Sequence, residues 1–337
     1  MSKRIITFSE ATKEAMIEEM RADPNVFVFG EDIAKQGGIF GQFTGLKEEF
    51  GNRVKDTPIS ETALVGAGVG AALAGSKPVI DLHFADFIGI TMDEILNQMA
   101  KARYMFGGQA QLPLVLRAPD GSMAHGAAQH SQSLESWFMG IPGIRVVIPS
   151  TPENAKGLLK AAIQDPNPVI YFENKGLFPV KGHVPTGEIY TPLDKAEVIK
   201  KGSDVTIVSY SLMLTKALKA AEYVEEKYGI QVEVIDLRSI VPIDTETIYT
   251  SVKKTGRLVI IHEAIKIGGV GGEIAARVAE NVWEYLQAPI LRVGAKFSPV
   301  PFSPPLENHI FANEEEIIQA ILKSTEKIRN KNLIKYS

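Results

Sequence analysis

The chain has 337 residues, 45% hydrophobic and 23% charged, with 29 glycines, 19 prolines and no cysteine. Without cysteine there is no disulfide, no thiolate nucleophile and no Cys-based zinc or iron–sulfur site. A net charge of −4 with interspersed signs gives no electrostatic footprint for nucleic acid or an anionic membrane, and the apolar content excludes a disordered tail.

The first residues, MSKRIITFSEATKEAM, lack an apolar signal core and an Arg/Ser-rich transit pattern. No apolar run reaches the roughly 18 residues a membrane span needs. The expectation is a soluble, cytoplasmic protein. Short apolar runs alternate with helical periods, the pattern of parallel α/β sheets. In chain order, strands are expected at Val26–Phe29, Val79–His83, Leu112–Arg117, Arg145–Ile148 and Val169–Phe172. Helices are expected between them at Ser9–Arg21, Glu61–Ala74, Met92–Phe106 and Pro152–Gln164. In the third of these helices, Met92, Ile95, Leu96 and Met99 recur at helical spacing.

From about residue 179 to 203 the pattern lapses into Gly, Pro and charge, which reads as a linker. A second series follows, with strands at Val205–Ser209, Val232–Asp236, Leu258–His262 and Ile290–Val293. Its helices are expected at Leu214–Tyr228, Thr245–Lys254, Glu273–Leu286 and Glu314–Lys327. The chain therefore reads as two α/β domains, 1–180 and 204–337, joined by a linker over 181–203.

Four features carry possible chemistry. Ser60 is placed to cap a helix that begins at Glu61 and contains Gly66, Gly68 and Gly70, with Gly75 just past its end. Each interior glycine costs up to about 1 kcal/mol relative to alanine, so the run makes sense where another backbone, a subunit or a cofactor packs closely. Glu61 is either a first-turn acid answering the helix dipole or a site residue. His125 and His130 are five apart, off the i,i+4 spacing of a two-histidine metal site. A histidine in their Gly/Ser/Gln-rich loop serves proton transfer or fixes the loop. HFADF, His83 to Phe87, ends a strand where ligands of open α/β sheets gather, so Phe84 or Phe87 either stacks on a flat ring or packs in the core. IGGVGGE, Ile267 to Glu273, misses the G-x-G-x-x-G dinucleotide pattern and reads as a tight strand-to-helix connection. Neither G-x-x-x-x-G-K-[ST] nor G-x-S-x-G is present.

Together, TPISE (Thr57–Glu61), FADF (Phe84–Phe87), RYMFGG (Arg103–Gly108), QHSQSLESWF (Gln129–Phe138), PGIRVVIPSTP (Pro142–Pro152) and PVPFSPPLE (Pro299–Glu307) resemble one family. It is the β subunit of the thiamine-diphosphate-dependent first component of acetoin and 2-oxo acid dehydrogenase complexes. The resemblance covers nearly the whole chain. It implies an α/β fold of two domains: an N-terminal pyrimidine-binding domain with a parallel sheet, and a C-terminal transketolase-type domain. It also implies a heterotetramer of two α and two β chains, with thiamine diphosphate at α–β interfaces. In that family the α chain binds the diphosphate and Mg²⁺ through a Gly-Asp-Gly motif, which this chain lacks.

Carried over by resemblance, Glu61 matches the glutamate that hydrogen-bonds the cofactor's aminopyrimidine nitrogen. A carboxyl desolvated by apolar neighbours holds a proton that such a nitrogen can share. Phe87 matches the aromatic residue packed on the pyrimidine ring. His130 matches the histidine near the reacting carbon, implicated in proton transfer and in acylation of the lipoyl group. His83 stands at a cofactor-side position where the 2-oxo acid enzymes commonly have glutamine. Asp165 and Asn167, in QDPNP, match a structural K⁺ site of some relatives, its shell completed by backbone oxygens near Leu112, Leu114 and Ala162. An exposed turn after the preceding helix is the other reading of QDPNP.

For substrate, RYMFGGQAQLP, AAQHSQSLESWF and PFSPPLE are most similar to the acetoin branch, whereas His125-Gly126 and FADF resemble the branched-chain 2-oxo acid branch. The expectation taken forward is acetoin cleavage with release of acetaldehyde, the acyl group passing to lipoamide on the acyltransferase component. Oxidative decarboxylation of pyruvate or a branched-chain 2-oxo acid is the alternative. A non-catalytic subunit that only docks the acyltransferase is a reading of another class.

Overall fold

A computed structural model describes residues 4–123 and 125–326. The chain divides into two compact units, one of residues 4–123, 129–193 and 239–242, the other of 125–128, 194–238 and 243–326. In chain order the first unit contains β1 (Ile5–Thr7), α1 (Phe8–Ala22), β2 (Val26–Gly30), α2 (Leu46–Phe50), β3 (Val54–Asp56), α3 (Glu61–Leu73) and β4 (Lys77–Asp81). It continues with α4 (Ala102–Met105), β5 (Val115–Asp120), β6 (Arg145–Val147), α5 (Pro152–Gln164), β7 (Val169–Asn174) and β8 (Lys181–His183). The second unit begins with β9 (Glu197–Lys200), β10 (Val205–Ser209), α6 (Leu212–Tyr228) and β11 (Val232–Asp236). After β12 (Ser239–Val241), which belongs to the first unit, come α7 (Thr245–Thr255), β13 (Leu258–Ile265), α8 (Val270–Asn281), β14 (Leu291–Ala295), α9 (Pro304–Ile310) and α10 (Glu314–Ser324).

The first unit's seven-stranded sheet has the order β12-β6-β7-β5-β4-β2-β3, and the second unit's five-stranded sheet the order β14-β13-β10-β11-β9. The cores of both sheets run parallel, as the buried Val/Ile-rich runs require. One antiparallel strand is added at an edge of each: β12 against β6, and β9 against β11. The charged stretch 181–203 therefore supplies two strands, because β8 also pairs with β1. Edge strands carry charge on their exposed positions, which hides them from an apolar-run reading.

Two further elements depart from the sequence pattern. The strand expected from Leu112 begins only at Val115, since Pro113 has no N–H and Leu114 turns back to donate to the Leu112 carbonyl at 2.8 Å. The helix expected over 92–106 is broken into a π-helical turn (Glu94–Met99) and the short α4, and a 3₁₀ stretch (Ala85–Thr91) precedes it. In the second unit, α8 starts three residues before the expected Glu273, and α10 ends at Ser324; Lys327 lies outside the described residues. No described helix is long and apolar enough to cross a membrane.

The glycines of IGGVGGE enclose a histidine rather than a phosphate. His262, within the buried run of β13, is fully buried, and its Nδ1–H donates to the Ala264 carbonyl at 3.0 Å. A Cβ at Gly269 would lie 2.6 Å from the His262 ring, and one at Gly294 2.8 Å from it. Burial pushes the imidazole pKa down to about 4. The unfolded chain, with histidine near its ordinary value, then binds more protons than the folded one between pH 6.5 and 4. Stability is full above that window and falls as pH drops through it, by about 3 kcal/mol for this group. Urea midpoints at pH 7 and pH 5 are expected to differ less in a His262→Gln variant than in the unaltered chain.

Candidate active site

The parallel strands of the first unit send the segments after their C-terminal ends to one edge of the sheet, the edge where ligands of such sheets bind. Glu31 follows β2, Glu61 follows β3, His83 and Phe84 follow β4, the loop bearing His130 follows β5, and Lys175 follows β7. The order β7-β5-β4-β2-β3 makes these segments neighbours.

A continuous set of contacts joins them. His83 Nδ1 lies 3.2 Å from Glu31 Oε2, with both side chains largely buried. The His83 ring stacks on Phe84 at 5.6 Å. Phe84 meets His130 edge to face at 4.6 Å, and Phe87 meets the same imidazole at 5.6 Å. Lys175 Nζ stands 5.6 Å from the Phe84 ring centroid. The His130 loop is pinned to the FADF segment by Gln132, whose backbone N–H and side-chain amide both donate to Asp86 Oδ1, at 3.1 and 2.9 Å. His125 goes elsewhere: its ring meets Phe302 at 5.3 Å and its N–H donates to Glu307 at 3.3 Å, all within the second unit.

Glu61 is the first residue of α3, half-buried, and Ser60 occupies the cap position without a side-chain capping bond. Gly68 is filled from within the chain, a Cβ there falling 2.3 Å from Ile80 Cδ1, whereas Gly70 has no atom within 4 Å of such a Cβ. Glu31 carries the electrostatic signature of the site. Burial, then the nearby Glu61 charge, push its pKa upward against the pull of His83. Sequence reasoning missed Glu31; the signal was an acid immediately past the end of an expected strand.

Beneath these groups lies a buried charge cluster. Arg117 on β5 pairs with Glu173 on β7 through two hydrogen bonds of 2.8 Å, both side chains fully buried, and its guanidinium lies over the Phe43 ring at 4.7 Å. Asp81 at the end of β4 has its pKa pushed up to about 7 by complete burial, with Arg117 pulling the other way. Gly30 is required beside it, since a Cβ there would fall 2.7 Å from the Asp81 carbonyl oxygen.

The QDPNP group lies apart from this set. Asp165 Oδ2 accepts from Arg145 at 2.9 Å, while Asp165 Oδ1 accepts from the Asn167 backbone and side-chain N–H groups. Asn167 Oδ1 accepts from Arg103 at 2.6 Å. The Leu112 and Leu114 carbonyls accept from Leu114 and Val169, and Ala162 sits in the last turn of α5. Guanidinium groups thus stand against both side chains. Among the described residues no group of three or more histidines and carboxylates could hold a metal. The aromatic-walled set, with Glu31 and Glu61 adjoining, suits a polar heteroaromatic ring such as an aminopyrimidine.

Residues 4–181 match the family described as transketolase, pyrimidine binding domain, and residues 194–317 match transketolase, C-terminal domain. The chain is 46% identical over 318 residues to the pyruvate dehydrogenase E1 component subunit beta of Rhizobium meliloti (strain 1021), covering 94% of this chain and 69% of that protein. It is 44% identical over 333 residues to the acetoin:2,6-dichlorophenolindophenol oxidoreductase subunit beta of Bacillus subtilis (strain 168), covering 95% and 97%. It is 41% identical to the 2-oxoisovalerate dehydrogenase subunit beta of the same organism, covering 96% and 99%. A solved structure described as a split gene transketolase, inactive beta4 tetramer, superposes with a TM-score of 0.79 at 26% identity, covering 95% of this chain and 98% of that one. Fold and relatives agree that this chain belongs to the β-subunit family of the thiamine-diphosphate-dependent first component of 2-oxo acid and acetoin dehydrogenases.

Proposed function

We propose that the chain is the β subunit of an acetoin dehydrogenase first component, assembled with an α subunit as a heterotetramer and passing an acetyl group to a lipoyl-bearing acyltransferase. The observation that carries this reading is the convergence of Glu31, His83, Phe84, Phe87 and His130 at one strand-end edge, with the Glu61 charge acting on Glu31. The residues fit the pyrimidine half of thiamine diphosphate. When bound, the cofactor supplies the nucleophilic carbon and the electron sink. With it bound, Glu61 would face the aminopyrimidine, Phe87 would pack on that ring, and His130 would move a proton beside the reacting carbon. The diphosphate and Mg²⁺ fall to the α chain, because this chain has no Gly-Asp-Gly. Ile59, 81% exposed beside Glu61, and the exposed Ile90, whose carbonyl accepts from Thr62, support a partner covering the start of α3.

Relatives named for pyruvate, acetoin and 2-oxoisovalerate lie within a few per cent of one another in identity, so the choice of acetoin rests on the resemblance of RYMFGGQAQLP, AAQHSQSLESWF and PFSPPLE to that branch. The test is to co-express the chain with its α partner and compare dichlorophenolindophenol reduction driven by acetoin, pyruvate and branched-chain 2-oxo acids. Acetoin is expected to give the highest kcat/KM; a preference for any 2-oxo acid contradicts the substrate assignment.

A further inference from the structure

His83 has two ring nitrogens, and the structure commits one of them. Nδ1 faces the Glu31 carboxylate, which is only 6% exposed and fixed directly behind Gly30 at the end of β2. With Glu31 ionised, Nδ1–H donates to it and the lone pair is left on Nε2. The ring is held flat against Phe84, whose edge also meets His130, so two imidazoles flank one phenyl ring.

Resting on the functional reading above, we propose that His83, oriented by Glu31, is a general base that takes the hydroxyl proton of a neutral 2-hydroxyketone and so sets the substrate class. In the cleavage of acetoin, the O–H bond of the secondary alcohol breaks and its proton passes to His83 Nε2. The oxygen's electron pair forms the carbonyl of acetaldehyde. The C–C bond to the ketone carbon breaks, and its electron pair stays with the two-carbon acyl fragment, for which thiamine diphosphate is the acceptor. A 2-oxo acid requires no base at this point, because its departing carbon is already a carboxylate and leaves as CO₂. Glutamine, common at this position in the 2-oxo acid enzymes, cannot take a proton.

The groups facing the pair reinforce the choice. Glu61 approaches Glu31 from α3, Asp32 follows it in the chain, and Asp81 lies beyond it on β4. The Arg117 cation is already bound to Glu173. Lys175 and His130 stand on the Phe84 ring.

The test uses the assembled α/β enzyme with acetoin and pyruvate as alternative substrates and dye reduction as the readout. His83→Gln is expected to lower the acetoin-to-pyruvate ratio of kcat about 100-fold, the lower range for loss of a general base. In the full-length chain labelled at histidine ring carbons, the His83 resonance is identified by its loss in His83→Gln. Its ring-carbon shift is expected to report the Nδ1–H tautomer that Glu31 selects, and Glu31→Ala, which removes the acceptor, is expected to change that tautomer. An unchanged substrate ratio, or an unaltered enzyme that uses pyruvate and not acetoin, overturns the base assignment. An unchanged tautomer in Glu31→Ala overturns the pairing. An unaltered enzyme inactive on every substrate defeats the functional reading instead, and the tautomer still decides the pairing.

Discussion

Glu61→Gln is expected to abolish turnover of the reconstituted α/β enzyme while leaving its assembly intact. The substitution keeps the size and polarity of the first residue of α3 but removes its capacity to hold and return a proton. Loss of a positioned acid–base group lowers rates by about 10²–10⁴-fold. Ser60 makes no side-chain capping bond, and Leu64 and Val65 bury the next turn, so the helix does not depend on the carboxylate for its position. The amide also removes the charge that raises the Glu31 pKa, so Glu31 is expected to become more acidic in the variant. Dye reduction measures the first effect, and sedimentation of the complex shows that the second chain is retained. Undiminished turnover would make this chain a docking subunit for the acyltransferase and move the chemistry elsewhere.

The second large effect is on stability. Arg117→Met is expected to destabilise the first unit by about 3–5 kcal/mol, the range for breaking a buried pair by removing one partner. The variant leaves Glu173 fully buried with no countercharge, and Asp81 loses the only cation that offsets its burial among the groups acting on it. Methionine retains apolar contact with Phe43, so most of the loss is electrostatic. Replacing Glu173 with methionine as well is expected to recover much of the deficit, since well-packed apolar substitutes for both partners are often neutral. Urea denaturation of the single and double variants provides the measurement. A loss below about 1 kcal/mol in Arg117→Met would mean that the pair is solvated in a way its burial does not suggest.

The parts of the fold that were legible in sequence are those where local pattern and burial agree. Val205–Ser209 and Val232–Asp236 are strands to the residue, because buried parallel strands are uninterrupted apolar runs. Pro152–Gln164 is likewise a helix over its expected span, with Thr151 capping it and Pro152 at its first position. The edge strands β8 and β9 were hidden by their lysines and glutamate. The segment 92–106 has a helical apolar period, yet the Ala100 N–H reaches back to the Ile95 carbonyl and opens a π turn that no period reveals.

The candidate site divides in the same way. Phe87, His130 and Glu61 belong to distinctive motifs, and His83 stood out as a departure from one. Glu31 lies in GED, an ordinary-looking acidic turn, and only pairing with His83 across two neighbouring strands gives it significance. Arg117, Glu173 and Asp81 sit at the ends of three apolar runs. Their meeting depends on the strand order β7-β5-β4, which the sequence of one chain does not spell out.

One strand gives the molecule a constraint on its biosynthesis. The outer edge of the seven-stranded sheet is closed by Ser239–Val241, which pairs with Arg145–Val147 only after β10, α6 and β11 have intervened. A nascent chain emerging from the ribosome cannot finish its first sheet when its first half is complete. Until Val241 is delivered, the backbone of β6 on that side has no strand to bond, a template for pairing with another nascent copy. Exposure of that edge during this interval is a consequence of the topology itself, whatever the stability of the finished subunit.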